Sequence, residues 1–246
     1  MLYAILFVLG LVFGSFYNVV GLRLSKEESI VFPSSHCMNC NHKLGFLDLI
    51  PVFSYIFLRG KCRYCGKKIS IKYPIFELIT GILFVLCYVK FGFSYELLIG
   101  IIFCSMLVII TVSDFDSYMI PDSVLLISGI LIFIIYLIKF KTFAFDYLAQ
   151  GIFSFIFMFC FKLVGNFLLK KESMGDGDIK LMAVVGMVIG FKKVIFSLFL
   201  AAYLGFPYAI YVMVKKSINH EVPFGPFLAL ASIILLFLDF DFLNLF

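Results

Sequence analysis

The sequence predicts an all-α polytopic membrane protein, with about eight transmembrane helices and a cytoplasmic zinc-binding loop after the first helix. Of the 246 residues, 63% are hydrophobic and only 14% are charged. Soluble domains are about half apolar and about a quarter charged. The apolar residues fall in runs long enough for helices that cross a bilayer, which takes roughly 20 residues. Two Cys-x-x-Cys pairs lie between the first and second runs.

The apolar runs give the expected positions of the helices. The first run has no basic segment before it and no small-x-small cleavage site after it, so we expect a retained span. Only a short Gly-Phe-Lys-Lys turn separates the sixth run from the seventh, so this boundary is the least distinct. The expected spans are near residues 2–22, 73–89, 95–113, 119–138, 147–169, 179–191, 194–214 and 222–240.

The lysine and arginine residues set the expected orientation. Fourteen of them fall in the segment 23–72 and in the other loops on that side, against five on the opposite side. Basic residues concentrate in cytoplasmic loops, so the N-terminus is expected outside and the loop 23–72 in the cytoplasm. The formal charge of +5 fits such loops and does not by itself indicate nucleic acid, and no nucleic-acid partner is expected.

The cytoplasmic loop contains the spacing of a metal site. Two Cys-x-x-Cys pairs separated by a spacer of this length are typical of a tetrahedral site with four thiolate ligands, which suits structural zinc. Two disulfides are the alternative, but a reducing compartment disfavours them. His36 and His42 flank the first pair, and either could substitute as a ligand, but such residues are more often solvated neighbours. The expected ligands are Cys37, Cys40, Cys62 and Cys65.

Two acidic stretches lie next to apolar runs, at 114–122 and at 175–180. Ionisable groups are costly in hydrocarbon, so they usually face a polar cavity and mark function. Pro121 separates Asp114 from Asp122, and glycines flank Asp178. Two carboxylates that share a proton can activate water for peptide hydrolysis. A proton or ion pathway is the competing interpretation, and a zinc-anchored scaffold is a third.

Two further polar residues lie within apolar runs. Asn18 is expected either to form a helix-packing hydrogen bond or to contact the cytoplasmic loop or a ligand. Glu77 is expected either to face headgroups near a helix start or to belong to a polar pocket.

Taken together, the motifs resemble those of the type IV prepilin peptidases, bacterial membrane aspartic proteases of the GxGD class. The resemblance covers nearly the whole chain, and the combination is specific although no single motif is. It rests on the stretch 14–20, the double Cys-x-x-Cys loop, Tyr73-Pro74 with Glu77, the stretch 114–122, Gly175-Asp176-Gly177-Asp178-Ile179-Lys180-Leu181, and Pro223-Phe224-Gly225-Pro226-Phe227.

The resemblance implies an activity and two catalytic residues. Carried onto this sequence, the family's catalytic aspartates are Asp114 and Asp178, while Asp176 occupies a variable position. The implied enzyme cleaves the leader from type IV prepilin or pseudopilin precursors on the cytoplasmic side of the bacterial cytoplasmic membrane, with lipid around it. Many family members then methylate the new N-terminus with S-adenosylmethionine. The implied domains are a first transmembrane helix at 1–22, the zinc loop at 23–72 and the peptidase domain at 73–246.

Overall fold

The computed structural model describes residues 1–214 and 223–238. Within this part the chain is helical, and outside the helices it forms only isolated β-bridges in the cysteine loop. The helices are α1 (Leu2–Leu24), α2 (Phe53–Phe57), α3 (Lys72–Phe91), α4 (Tyr95–Ser117), α5 (Asp122–Phe140), α6 (Ala144–Leu169), α7 (Asp176–Ile189), α8 (Phe191–Val214) and α9 (Gly225–Phe237).

Five helical segments of the described chain are long and apolar enough to cross a membrane. The longest, Asp122–Leu169, consists of α5 and α6, which a 3-10 turn at Lys141–Phe143 separates. Helix α7 has 14 residues and α9 has 13, so at 1.5 Å per residue each is shorter than the roughly 30 Å hydrocarbon core.

The chain divides into two compact units, Met1–Ser117 and Tyr118–Phe246. In the first unit, α1 packs closely on α3 because both helices carry glycine at the contact. A Cβ atom on Gly10 would lie 2.6 Å from the Cα of Gly81. Such close approach of small residues is how membrane helices gain packing contacts. Helix α4 supplies the fully buried core, with Phe103 and Leu107 among its largest buried side chains.

In the second unit, α7 is the central helix and packs on α6. Leu181 and Met182 of α7 are fully buried. A Cβ atom on Gly151 of α6 would lie 2.8 Å from the carbonyl oxygen of Ala183, so the two backbones approach closely. This packing fixes the position of the first turn of α7, which carries part of the second acidic stretch.

All eight predicted runs contain a helix, but most boundaries differ from the prediction by a few residues. Helix α4 extends to Ser117, beyond the predicted end at 113, and α6 begins at Ala144, before 147. Helix α7 begins at Asp176 and ends before Gly190, whose φ of 85° leaves the helical region. The predicted last span, 222–240, includes positions 222 and 239–240 that lie outside the described residues.

Candidate active site and metal centre

Asp114 lies in the last turn of α4, in the first unit. The helix continues to Ser117, so the backbone of Asp114 is helical and its side chain leaves the helix in a fixed direction. Its side chain is buried, with 5% of the residue exposed. Two residues later, Asp116 is exposed and forms an ion pair with Lys26 at 3.0 Å. The two acids of this stretch therefore differ sharply in environment.

Asp178 lies in the first turn of α7, in the second unit. Gly175 precedes the helix with an extended backbone, at φ −68° and ψ 149°. An aspartate in a first turn interacts favourably with the positive end of the helix dipole. Asp178 is 8% exposed, whereas the Asp176 side chain is 77% exposed.

Residues on both sides of Asp178 in the sequence, Asp176 and Lys180, form ion pairs. Asp176 accepts a hydrogen bond from Lys162 at 2.6 Å, and the Lys162 ammonium lowers the pKa of Asp176 below its ordinary value. On the other flank, Lys180 donates to Asp122 at 2.6 Å. The neighbouring acids are thus exposed and paired with lysine, while Asp178 itself is buried.

The glycine before Asp178 is in close contact with the segment that precedes α5. A Cβ atom on Gly177 would lie 2.9 Å from the Cβ of Ile120. By contrast, a Cβ atom on Gly175 would meet nothing closer than 3.6 Å. Of the two glycines, only Gly177 is required by packing.

The four predicted cysteines come together in one cluster. The Sγ atoms of Cys37, Cys40, Cys62 and Cys65 all lie within 4.8 Å of one another. All seven cysteines of the chain are free thiols, so the disulfide alternative is not formed. Cys37 and Cys65 are 3.9 Å apart at sulfur, close to the roughly 3.8 Å that tetrahedral Zn–S bonds of about 2.3 Å would give. The described cluster contains no histidine.

The two cysteine pairs form matching turns. The N–H groups of Cys37 and Cys62 each donate to the carbonyl five residues later, at 3.0 and 2.8 Å. The residue after the second cysteine is left-handed in both turns, Asn41 with φ 53° and Gly66 with φ 71°. Asn and Gly adopt this conformation at the lowest cost, so the local sequence favours the turns.

The electrostatics of the cluster fit a cation. N–H groups of Asn39 and Cys40 bond to the Cys37 sulfur and lower the pKa of Cys37 to about 6. The N–H of His42 lowers the pKa of Cys40, but desolvation and the neighbouring sulfurs outweigh it and raise that pKa to about 11. A divalent ion would offset the mutual repulsion of such thiolates.

The first unit also encloses a cavity of about 670 Å³ between the helices and the cysteine loop. Asn18 and Glu77 both line it. Asn18 donates to the Tyr73 carbonyl at 3.2 Å, so it forms the packing bond and also faces the cavity. Of the two alternatives for Glu77, the structure shows the polar pocket. The cavity itself was not predicted, because its wall combines segments distant in sequence.

Two family descriptions match the chain. Residues 8–91 match the Bacterial Peptidase A24 N-terminal domain, and residues 101–210 match the Type IV leader peptidase family. No significant match to a solved structure was found.

Curated relatives match over most of the chain, and those described here are named "Prepilin leader peptidase/N-methyltransferase". One from Bacillus subtilis is 33% identical over 94% of this chain and 92% of the relative. One from Myxococcus xanthus is 37% identical over 81% of this chain and 60% of the relative. One from Neisseria gonorrhoeae is 33% identical over 92% of this chain and 86% of the relative.

Proposed function

The chain belongs to the prepilin leader peptidase/N-methyltransferase family, and on that premise we propose that it is a membrane aspartic endopeptidase that removes the leader from type IV prepilin-like precursors. Family membership favours a peptidase over the proton pathway and the scaffold. Family membership also implies N-methyltransferase activity, for which S-adenosylmethionine is the methyl donor.

The contrast in burial among the acids is the observation that supports the choice of catalytic residues. Asp114 and Asp178 are buried, whereas their neighbours Asp116, Asp122 and Asp176 are exposed and paired with lysines. Burial favours a proton shared between two carboxylates, because desolvation disfavours the ionised form. Asp114 and Asp178 are therefore the pair that we assign to catalysis.

The order of the helices in the chain supports placing both acids on the same side of the membrane. Asp114 lies at the end of α4 and Asp178 at the start of α7. Two long apolar helices, α5 and α6, lie between them in sequence. If each crosses the membrane once, the chain returns to the face from which it started. The excess of basic residues assigns that face to the cytoplasm and the N-terminus to the outside.

The proposed mechanism uses no covalent intermediate. Two interacting aspartates titrate as a unit, so one stays ionised while the other keeps a proton. The ionised carboxylate takes a proton from water as the water attacks the scissile carbonyl. The protonated carboxyl donates a hydrogen bond to the carbonyl oxygen. The C–N bond then breaks, and the leaving amine takes the proton that the first carboxylate removed from water. A precursor whose own apolar helix lies in the bilayer would present its leader to these acids.

We further propose that the four cysteines hold a structural zinc ion. A closed set of four thiolates leaves no open position for a substrate, so the metal would stabilise the loop and take no part in hydrolysis. The sulfur distances and the matching turns support this assignment.

Cleavage of a prepilin in membranes tests the assignment of the aspartates. We expect Asp114→Asn and Asp178→Asn each to lower the cleavage rate by about 10²-fold or more, because each removes an acid–base group at constant size. Asp176→Asn is the matched control and should retain cleavage. Near-wild-type cleavage by both site variants, at equal protein levels, would overturn the proposed mechanism.

A further inference from the structure

Peptide hydrolysis and methyl transfer are different reactions, and the family descriptions divide the chain between an N-terminal domain and a leader peptidase region. The large cavity lies in the first unit, mostly within the N-terminal segment. We propose that this cavity binds S-adenosylmethionine and that the Glu77 carboxylate contacts its positively charged sulfonium end. The inference rests on the methyltransferase part of the proposed function.

The cavity has the size and the lining for such a ligand. Its volume of about 670 Å³ falls within the roughly 300–1,000 Å³ of small-molecule sites. Most of its wall surface is apolar, and five lysine and arginine side chains and four carboxylates also line it. Apolar walls with charged groups that orient the ligand are common in small-molecule sites. Tyr55 and Tyr73 are aromatic residues of the lining that are available to a purine ring, while Asn18 and Ser15 line it from α1.

Glu77 is the unusual group of the cavity. Its residue is 7% exposed, and its Oε2 accepts a hydrogen bond from the Val52 N–H at 2.7 Å. The Ser15 side chain also lines the cavity. Within the described part of the chain, no lysine or arginine lies within ion-pair distance of Glu77. A buried carboxylate is costly unless an opposite charge accompanies it, so a cationic ligand would complete this site.

The other carboxylates that line the cavity are already accounted for. Asp48 is bonded to Arg63 and Asp116 to Lys26, while Glu28 is exposed to solvent. Glu77 is therefore the buried anion that remains for a ligand on this wall. A sulfonium carries a permanent positive charge and has no N–H to donate, so an anionic oxygen is its natural partner.

The backbone holds Glu77 firmly at this place. A Cβ atom on Gly14 would lie 2.8 Å from the Cα of Glu77, so α1 and α3 touch there. Val52, which donates to Glu77, has φ 62°, an unfavourable conformation for a β-branched residue. Such conformations persist where the surroundings enforce them, often at ligand sites. The carboxylate is thus positioned before any ligand arrives.

The proposed contact predicts a preference between substrate and product. During transfer the precursor's new N-terminal amine nitrogen attacks the methyl carbon, and a C–N bond forms as the C–S bond breaks. The bonding pair remains on sulfur and the amine proton passes to water. Because the product S-adenosylhomocysteine is a neutral thioether, Glu77 attracts it less than the sulfonium.

Calorimetry on the purified, zinc-loaded full chain in detergent tests the proposal without a methylation assay. We expect wild type to bind S-adenosylmethionine at least about tenfold more tightly than S-adenosylhomocysteine. Glu77→Gln should lose most of this preference, with little change for the neutral product. Glu27→Gln, which changes an exposed carboxylate that does not line the cavity, should bind both ligands as wild type does.

Two outcomes would overturn the proposal. One is equal affinity of wild type for the two ligands, which needs no variant and so does not depend on the folding of Glu77→Gln. The other is an unchanged preference in Glu77→Gln. Prepilin cleavage by Glu77→Gln should remain, so loss of ligand binding in this variant is distinct from failure of the aspartic mechanism.

Discussion

Gly14 of α1 and Glu77 of α3 are in direct contact, since a Cβ atom on Gly14 would lie 2.8 Å from the Glu77 Cα. The obstacle is backbone, which cannot move aside as a side-chain tip can. Small residues at such points let membrane helices pack closely. The position of a polar group in the cavity thus depends on the absence of a side chain on the neighbouring helix.

We predict that Gly14→Ala destabilises the protein and displaces Glu77. Overpacking of this kind costs about 1–3 kcal/mol, which thermal unfolding in detergent would detect. The control is Gly129→Ala in α5, where a Cβ atom would meet only Val184 at an ordinary 3.5 Å. That variant should be as stable as wild type or more stable, since alanine favours helix over glycine. Equal stability of both variants would contradict the proposed contact.

The two glycines that precede Asp178 should respond differently to alanine. Gly177→Ala brings a Cβ atom to 2.9 Å from the Cβ of Ile120, so the first turn of α7 must shift. A displacement near 1 Å in a catalytic group can lower a rate by about 10²-fold, and we expect prepilin cleavage to fall accordingly. Gly175→Ala meets no close atom and has a backbone that alanine adopts, so it should cleave at close to the wild-type rate.

A compensating change checks the cause of that loss. Ile120→Gly removes the Cβ atom that Gly177→Ala would meet, so the double variant should regain part of the cleavage activity. Additive losses in the double variant would show that the clash is not the reason.

The cysteine cluster was predictable from the sequence and the cavity was not, because the cavity depends on contacts between residues far apart in the chain. Cys37 and Cys40, like Cys62 and Cys65, are three residues apart, so each local turn already positions two ligands. Glu77, in contrast, receives its hydrogen bond from Val52, 25 residues away, through a backbone conformation that valine does not favour. Such a contact depends on tertiary packing and leaves no periodic signal.

The end of α4 shows a second limit of hydropathy. The apolar run stops at residue 113, but the helix continues through the polar residues Asp114 and Asp116. Backbone hydrogen bonding does not depend on the polarity of the side chain. The helix ends at Ser117 because Tyr118 has a left-handed backbone, with φ 55°, and Pro121 follows.

Loss of one thiolate should release the metal. We predict that Cys65→Ser lowers zinc content from one ion per chain to well below that value, because a hydroxyl is a poor replacement for a thiolate ligand. Mass spectrometry of the metal in purified protein measures it. Cys160→Ser, at an exposed position outside the cluster, should keep full zinc content. Unchanged zinc in Cys65→Ser would count against the four-cysteine site.

The ion pair between Asp48 and Arg63 should make the stability of the cysteine loop depend on pH. Arg63 donates to Asp48 at 2.6 Å, and the Asp48 side chain is 6% exposed. Burial alone raises the pKa of Asp48, but the bonds from Arg63 and from the Gly45 N–H outweigh it and lower that pKa. A lowered folded-state pKa means that the stabilisation is complete above the unfolded-state pKa of about 3.9 and is lost as the pH falls through the folded-state value.

Asp48→Asn tests this dependence. We expect the variant to be less stable than wild type by about 1 kcal/mol at pH 7, because it removes a charge-assisted bond. The difference should shrink as the pH falls below about 4, where wild type loses the same charge. Thermal unfolding of both proteins at each pH measures the difference in stability. Any release of zinc by acid occurs in both proteins and cancels in this difference.

Arg63→Gln breaks the same ion pair from the other side, so the double variant should lose less stability than the sum of the two single losses. A difference that stays constant from pH 7 to pH 3 would contradict the assigned role of Asp48.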